Sequence, residues 1–289
     1  MFVIIKKEIR AYFTSFTGYI FLAGFLFLLS IFFIDNNLNN FNSDFVQTLA
    51  LVNTLHIFLI IIPLITMQLF SDEHKFKTDM LLFSSRISIS HIVLGKYFGA
   101  FILYTIGLFL SISFPIYLSF FGNIDIPVLI SIYIGYILMG SAFISICLFI
   151  SCISKNYVIS AIASFVSLYF FFVIDNIAQS MPSDRISSFI FFIFLALIFS
   201  YTIYDATRSL IIAIIALIAI TISISILFFI NPYLFDSALP MALSYISLLR
   251  RLGEFGIGIL SISNILFYIS FSSVFIYLTI NTIEKRRWR

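Results

Sequence analysis

The sequence predicts an all-α, polytopic membrane protein with about eight transmembrane helices and an N-terminal interfacial helix. Three observations carry that expectation. Charged residues number 16 Lys+Arg and 13 Asp+Glu in 289, or 10%, against about 25% in a soluble domain. The apolar share is 62% and the mean hydropathy +1.14, more hydrocarbon than a globular core hides from water. Uncharged runs of near-spanning length also recur along the whole chain. An ordinary soluble enzyme is excluded, because the solvent for most of these side chains must be lipid.

The chain opens with Phe2, Ile5, Ile9 and Phe13 at three- and four-residue steps opposite Lys6, Lys7 and Arg10. That pattern predicts a short helix over residues 1–14 lying in the membrane interface. The uncharged run 17–34 follows. A basic start before an apolar run is also the form of a secretory signal. Here no small-x-small site follows and many such runs come later, so the first run is expected to stay as an anchor.

Further runs cover residues 46–70, 97–121, 126–154, 157–174, 186–204, 209–230 and 259–283, making eight spans. The stretch 186–230 would measure ~67 Å as one helix, over twice the ~30 Å hydrocarbon thickness. It must turn, and Asp205 and Arg208 mark the place, since each would cost roughly 2.5–3.5 kcal/mol at mid-membrane. With the N-terminus inside, thirteen basic residues fall on the cytoplasmic side (Lys6, Lys7, Arg10, Lys75, Lys77, Arg86, Lys96, Lys155, Arg208, Lys285, Arg286, Arg287 and Arg289). Only Arg185, Arg250 and Arg251 fall outside. This bias supports both termini in the cytoplasm.

Two connections exceed a turn. Residues 71–96 form the most polar stretch, with Asp72, Glu73, His74, Lys75, Lys77, Asp79 and Arg86 around the patch Met80 to Phe83. They predict an amphipathic helix facing the cytosol. Residues 231–258 start with Asn231-Pro232 and are too apolar to float in water, so they are expected as short or re-entrant helices on the outer face.

Motifs for chemistry are sparse. The Gly95-Lys96 pair is followed by Tyr97 and lacks the upstream glycine of a phosphate loop, and neither a zinc helix H-E-x-x-H nor a G-x-S-x-G elbow occurs. Cys147 and Cys152, five apart in one apolar run, read as packing residues. The 38 Phe read as lipid-facing bulk. His56, inside the second run, is a candidate pathway residue or proton relay; the plainer reading is an interhelical hydrogen bond. Gly95 and Gly99 make a G-x-x-x-G that permits close helix approach. A body of this kind needs a motor on another chain, and the 71–96 connection is the natural place to receive its force.

At that connection the residues run Phe70, Ser71, Asp72, Glu73, His74, Lys75, Phe76, Lys77, Thr78, Asp79, Met80, Leu81, Leu82, Phe83, then Ser84, Ser85, Arg86, Ile87, Ser88, and later Ile92, Val93, Leu94, Gly95, Lys96. In order and spacing this resembles the permease subunits of type-2 ATP-binding-cassette transporters, especially the branch related to the gliding-motility-associated permease. Departures are Lys77 where the family often has Gly, Met80 where it has Glu, and Arg86 where it has Pro. The likeness extends to Lys7 to Phe13 with Gly18 to Phe21 at the start. It also takes in Ser154-Lys155-Asn156, and at the end Arg251, Phe255, Gly258 to Leu260, Tyr268 and Glu284 to Trp288.

The resemblance implies a single permease domain over residues 1–289, in the plasma membrane, with a six-span core into which residues 186–230 insert an extra hairpin. It implies a dimer with a second copy or a paralogue, usually working as an exporter. Two ATP-binding-cassette ATPase subunits on separate chains would bind ATP and Mg; this chain itself would hold no cofactor, bind no nucleic acid and not act as an enzyme. The segment from Asp72 to Phe83 would be the coupling helix. Asp72, Glu73, Lys75, Lys77 and Thr78 would supply its polar ATPase contacts, and Leu81 and Leu82 its apolar anchors. The competing readings are an ion-coupled secondary carrier working through His56, and a membrane scaffold that transports nothing.

Overall fold

The computed structural model describes residues 1–39, 45, 52–75, 87–122 and 124–287. Among them there is no strand. The order is α1 Phe2–Thr14, α2 Phe16–Phe33, a π-helical turn Ile34–Asn39, α3 Val52–Thr66, α4 Gln68–Lys75, α5 Ile89–Ser111, α6 Ser113–Leu118 and α7 Ile126–Ile153. It continues through α8 Tyr157–Ser180, α9 Arg185–Thr207, α10 Leu210–Ile230, a 3₁₀ turn Pro232–Phe235, α11 Ala238–Ile246, α12 Leu248–Gly256 and α13 Ile262–Arg287.

Eight helical stretches among the described residues are long and apolar enough to cross a membrane: Phe16–Asn39, Leu55–Lys75, Ile89–Leu118, Ile126–Ile153, Tyr157–Ser180, Arg185–Asp205, Leu210–Ile230 and Ile262–Arg286. The chain is thus an all-helical, multi-pass membrane protein. Several helices outrun their uncharged stretches. The third starts at Ile89, not at Tyr97, and carries Lys96 inside it. The fifth continues past Asp175, whose carboxylate accepts a 3.1 Å hydrogen bond from Gln179 one turn later. The second is broken at Met67, one turn beyond Pro63, whose ring leaves the Leu59 carbonyl without its helical donor.

The chain divides into two compact units, Met1–Phe170 with Leu248–Arg289, and Phe171–Ser247. At the centre of the first lies α7, 72% buried over its apolar window. Lipid offers no hydrophobic drive for helices to associate, so small residues and interhelical hydrogen bonds carry the packing. Gly135 lets α12 approach, since a Cβ there would lie 2.9 Å from Leu252 and Phe255. Tyr97 donates to the Ser141 carbonyl at 3.3 Å, Tyr104 to the Tyr136 carbonyl at 2.9 Å, and Tyr268 to the Leu248 carbonyl at 2.6 Å. Cys147 and Cys152 are free thiols buried within α7.

In the second unit α9 and α10 pair as a hairpin. Arg208 turns the chain in the left-handed region (φ 53°), donating its N–H to the Tyr204 carbonyl at 2.7 Å, with an exposed Asp205–Arg208 ion pair of 3.1 Å beside it. Ser200 donates to the Ala213 carbonyl at 2.8 Å. At the far end Phe189, Phe228 and Phe235 cluster, and Arg185 forks onto both Asp236 carboxylate oxygens at 2.6 and 3.2 Å.

Candidate functional site

The site is built at the end of the first unit where α1, α4, the start of α5 and the last turns of α7 and α13 meet. It begins with the small residues of α5. A Cβ at Gly95 would lie 2.7 Å from Ile4 Cγ2, and one at Gly99 would lie 2.7 Å from Glu8 Cβ. The close approach permitted by G-x-x-x-G is therefore used by α1, a short helix outside the candidate spans.

The face of α1 turned inward is Ile4, Glu8 and Tyr12. Of the apolar stripe read from sequence, Phe2 points outward, 84% exposed, and Ile5, Ile9 and Phe13 are half-buried at the edge of the contact. Glu8 is the acidic residue of α1, and it turns inward to meet a buried cation.

That cation is Lys96, whose side chain is 3% exposed. Its Nζ lies 2.7 Å from Glu73 Oε1 on α4 and 3.4 Å from Glu8 Oε1 on α1, and it also donates to the Leu69 carbonyl. An ammonium has three N–H donors, and here three acceptors from two other helices surround it. The Phe70 ring adds its face, with Nζ 4.9 Å from the centroid. Tyr12 reinforces the joint by donating to the Ile65 carbonyl at 3.0 Å. Burial, with the Glu8 carboxylate near, pushes the Tyr12 phenol well above its ordinary value, so it stays a donor at physiological pH.

On the other side α4 is tied to the end of α7. The backbone N–H groups of Phe70 and Ser71 donate to Ser151 Oγ at 3.2 and 3.4 Å, and Ser151 donates to the Met67 carbonyl at 3.1 Å. These bonds satisfy backbone groups exposed where the helix breaks at Met67. His74 Nε2 meets the Cys152 carbonyl at 3.1 Å and the Arg286 guanidinium of α13, which also reaches the Ile153 carbonyl at 3.4 Å. Lys75 Nζ stands 5.0 Å from the Tyr157 ring centroid.

Of the residues singled out from sequence, Asp72, Glu73 and Lys75 lie on α4, and Glu73 enters the buried cluster. Lys77, Thr78, Leu81 and Leu82 lie outside the described residues. His56 is half-buried on α3, up to about 25 Å of helix away from Glu73. Sequence reasoning missed Glu8, Lys96, Ser151 and Arg286 as members of the site. The legible signal was Lys96 between Gly95 and Gly99: a cation beside the two residues that admit another helix. The arrangement links α4 to α1, α5, α7 and α13. Among the described residues no group of three His, Cys, Asp or Glu side chains could hold a metal ion. Comparisons with protein-family models, with curated proteins and with solved structures found no match.

Proposed function

We propose that this chain is the membrane-spanning permease subunit of a type-2 ATP-binding-cassette transporter, working as an exporter. Separate ATPase subunits drive it through residues 71–96. The observation that carries the reading is the joint around Lys96. The polar stretch bearing the permease-like pattern begins on α4, and α4 is clamped to α5, α7 and α13, with α1 joined through Lys96. A push on residues 76–86 would be handed through Glu73 and Lys96 to α1 and α5, and through Ser151, His74 and Arg286 to α7 and α13.

On this reading both termini are cytoplasmic, the membrane is the plasma membrane, and a second copy or a paralogue completes the pathway. ATP and Mg sit on the partner ATPase. Asp72, Lys75, Lys77 and Thr78 present polar groups to it, Leu81 and Leu82 anchor in its groove, and α9 with α10 is a hairpin added to a six-span core.

Co-purification tests the assignment. The wild-type chain is expected to retain an ATPase subunit, and Leu81→Asp/Leu82→Asp to lose at least tenfold of it, since each buried leucine contributes roughly 1.5–3 kcal/mol at such a contact. Equal retention by both removes the coupling role. Transport that persists without ATP and collapses with an ion gradient would favour the secondary carrier instead.

A further inference from the structure

The outer face of α1 carries an unassigned site. Val3, Lys6, Lys7, Arg10, Ala11 and Thr14 lie along one face of this helix and border a shallow, wide-open depression of ≈ 430 Å³. Lys6, Lys7 and Arg10 are exposed, and among the described residues none of them forms an ion pair. The one carboxylate of α1, Glu8, is turned to the opposite face, 3.4 Å from the Lys96 ammonium that it shares with Glu73. This face is thus cationic with no compensating anion on its own side of the helix.

Its height relative to the bilayer is fixed by the chain. A single extended residue, Ser15 (φ −96°, ψ 161°), separates α1 from the first apolar span. The corner is tight, because a Cβ at Gly18 would lie 2.6 Å from the Tyr12 carbonyl oxygen. The helix therefore adjoins the end of the first apolar span, beside which a headgroup layer of roughly 5–7 Å would lie. Exposed Phe2, Val3 and Phe16, each 80% or more accessible, flank the cations with apolar surface suited to acyl chains.

We propose that this face binds the headgroup of an anionic phospholipid, with Lys6, Lys7 and Arg10 holding the phosphate and Phe2, Val3 and Phe16 lying against the chains. An acidic protein segment would match the charge but not the flanking apolar residues at membrane level. The proposal rests on the multi-pass membrane fold and is independent of the coupling role assigned to residues 71–96.

The test uses the full chain, reconstituted with equal amounts of phosphatidylglycerol and phosphatidylcholine, delipidated by detergent exchange and read by native mass spectrometry for retained lipid. Wild type is expected to retain phosphatidylglycerol preferentially. Each cation near an anionic surface contributes roughly fivefold, so Lys6→Gln/Lys7→Gln should lower the preference at least fivefold, and adding Arg10→Gln should abolish it. Lys155→Gln/Lys285→Gln removes the same charge from two other exposed positions and should change it less than twofold. Equal losses in the two double variants would mean diffuse charge attraction and overturn the site. So would an unchanged preference in the triple variant, or a cross-linked protein partner at Lys6 or Lys7 with lipid retention unaltered.

Discussion

Replacing Lys96 by methionine is expected to destabilise the protein by about 3–5 kcal/mol and to lower its melting midpoint by on the order of 10 °C. The side chain is 3% exposed, and Glu8 and Glu73 beside it are 12% and 16% exposed. Removing the ammonium takes away the buried cation that the two carboxylates share. They must repel, take up protons or pull their helices apart. The triple variant Glu8→Gln/Glu73→Gln/Lys96→Met removes all three charges together and should recover most of the loss, since isosteric replacement of a whole buried ion cluster is often neutral. Thermal unfolding of the purified variants checks this. An unmoved midpoint in Lys96→Met, or a triple variant as damaged as the single one, would remove the cluster from its role as the joint.

Gly140→Leu is expected to prevent assembly of the first unit. The residue sits on α7 where Tyr104, 1% exposed, crosses it, and a Cβ there would collide with the ring carbons and the phenolic oxygen. The ring has nowhere to go. Its centroid is 5.9 Å from that of Phe58, which is itself 5.0 Å from Tyr136, and its hydroxyl donates to the Tyr136 carbonyl. Overpacking of a well-filled core costs about 1–3 kcal/mol for small additions, so Gly140→Ala should already lower the melting midpoint. Gly140→Leu should yield no monodisperse protein by size-exclusion chromatography. Gly24→Leu provides the contrast: a Cβ at Gly24 meets nothing within 4 Å, and that variant should behave as wild type. Normal yield and melting for Gly140→Leu would show that the α5–α7 contact is looser than described.

The hydrophobic runs were legible because lipid imposes one rule on length and charge, and the turn at Asp205 and Arg208 was legible because two exposed charges cannot sit at mid-membrane. Span ends were less so. Lys96 looked like a boundary, yet the helix begins seven residues earlier, because Glu8 and Glu73 neutralise the ammonium inside it. Glu8 itself was hidden: periodicity finds apolar faces, and α1 turns an acidic residue inward to satisfy a partner 88 positions away. The clamp of His74 on the Cys152 carbonyl and Arg286 was equally hidden, since it joins residues with no shared pattern. Glu73 was found for its polarity in the stretch 71–96; its neighbour, the buried cation, required the fold.

The central claim is that residues 71–96 receive force from an ATPase on the cytosolic side. Thr78→Cys offers a direct measurement, because Cys147 and Cys152 are buried and free and leave little competing reactivity for a membrane-impermeant maleimide. The account predicts labelling in inside-out vesicles only, reduced several-fold when the ATPase subunit is bound. Labelling from the outer face of intact cells would contradict it.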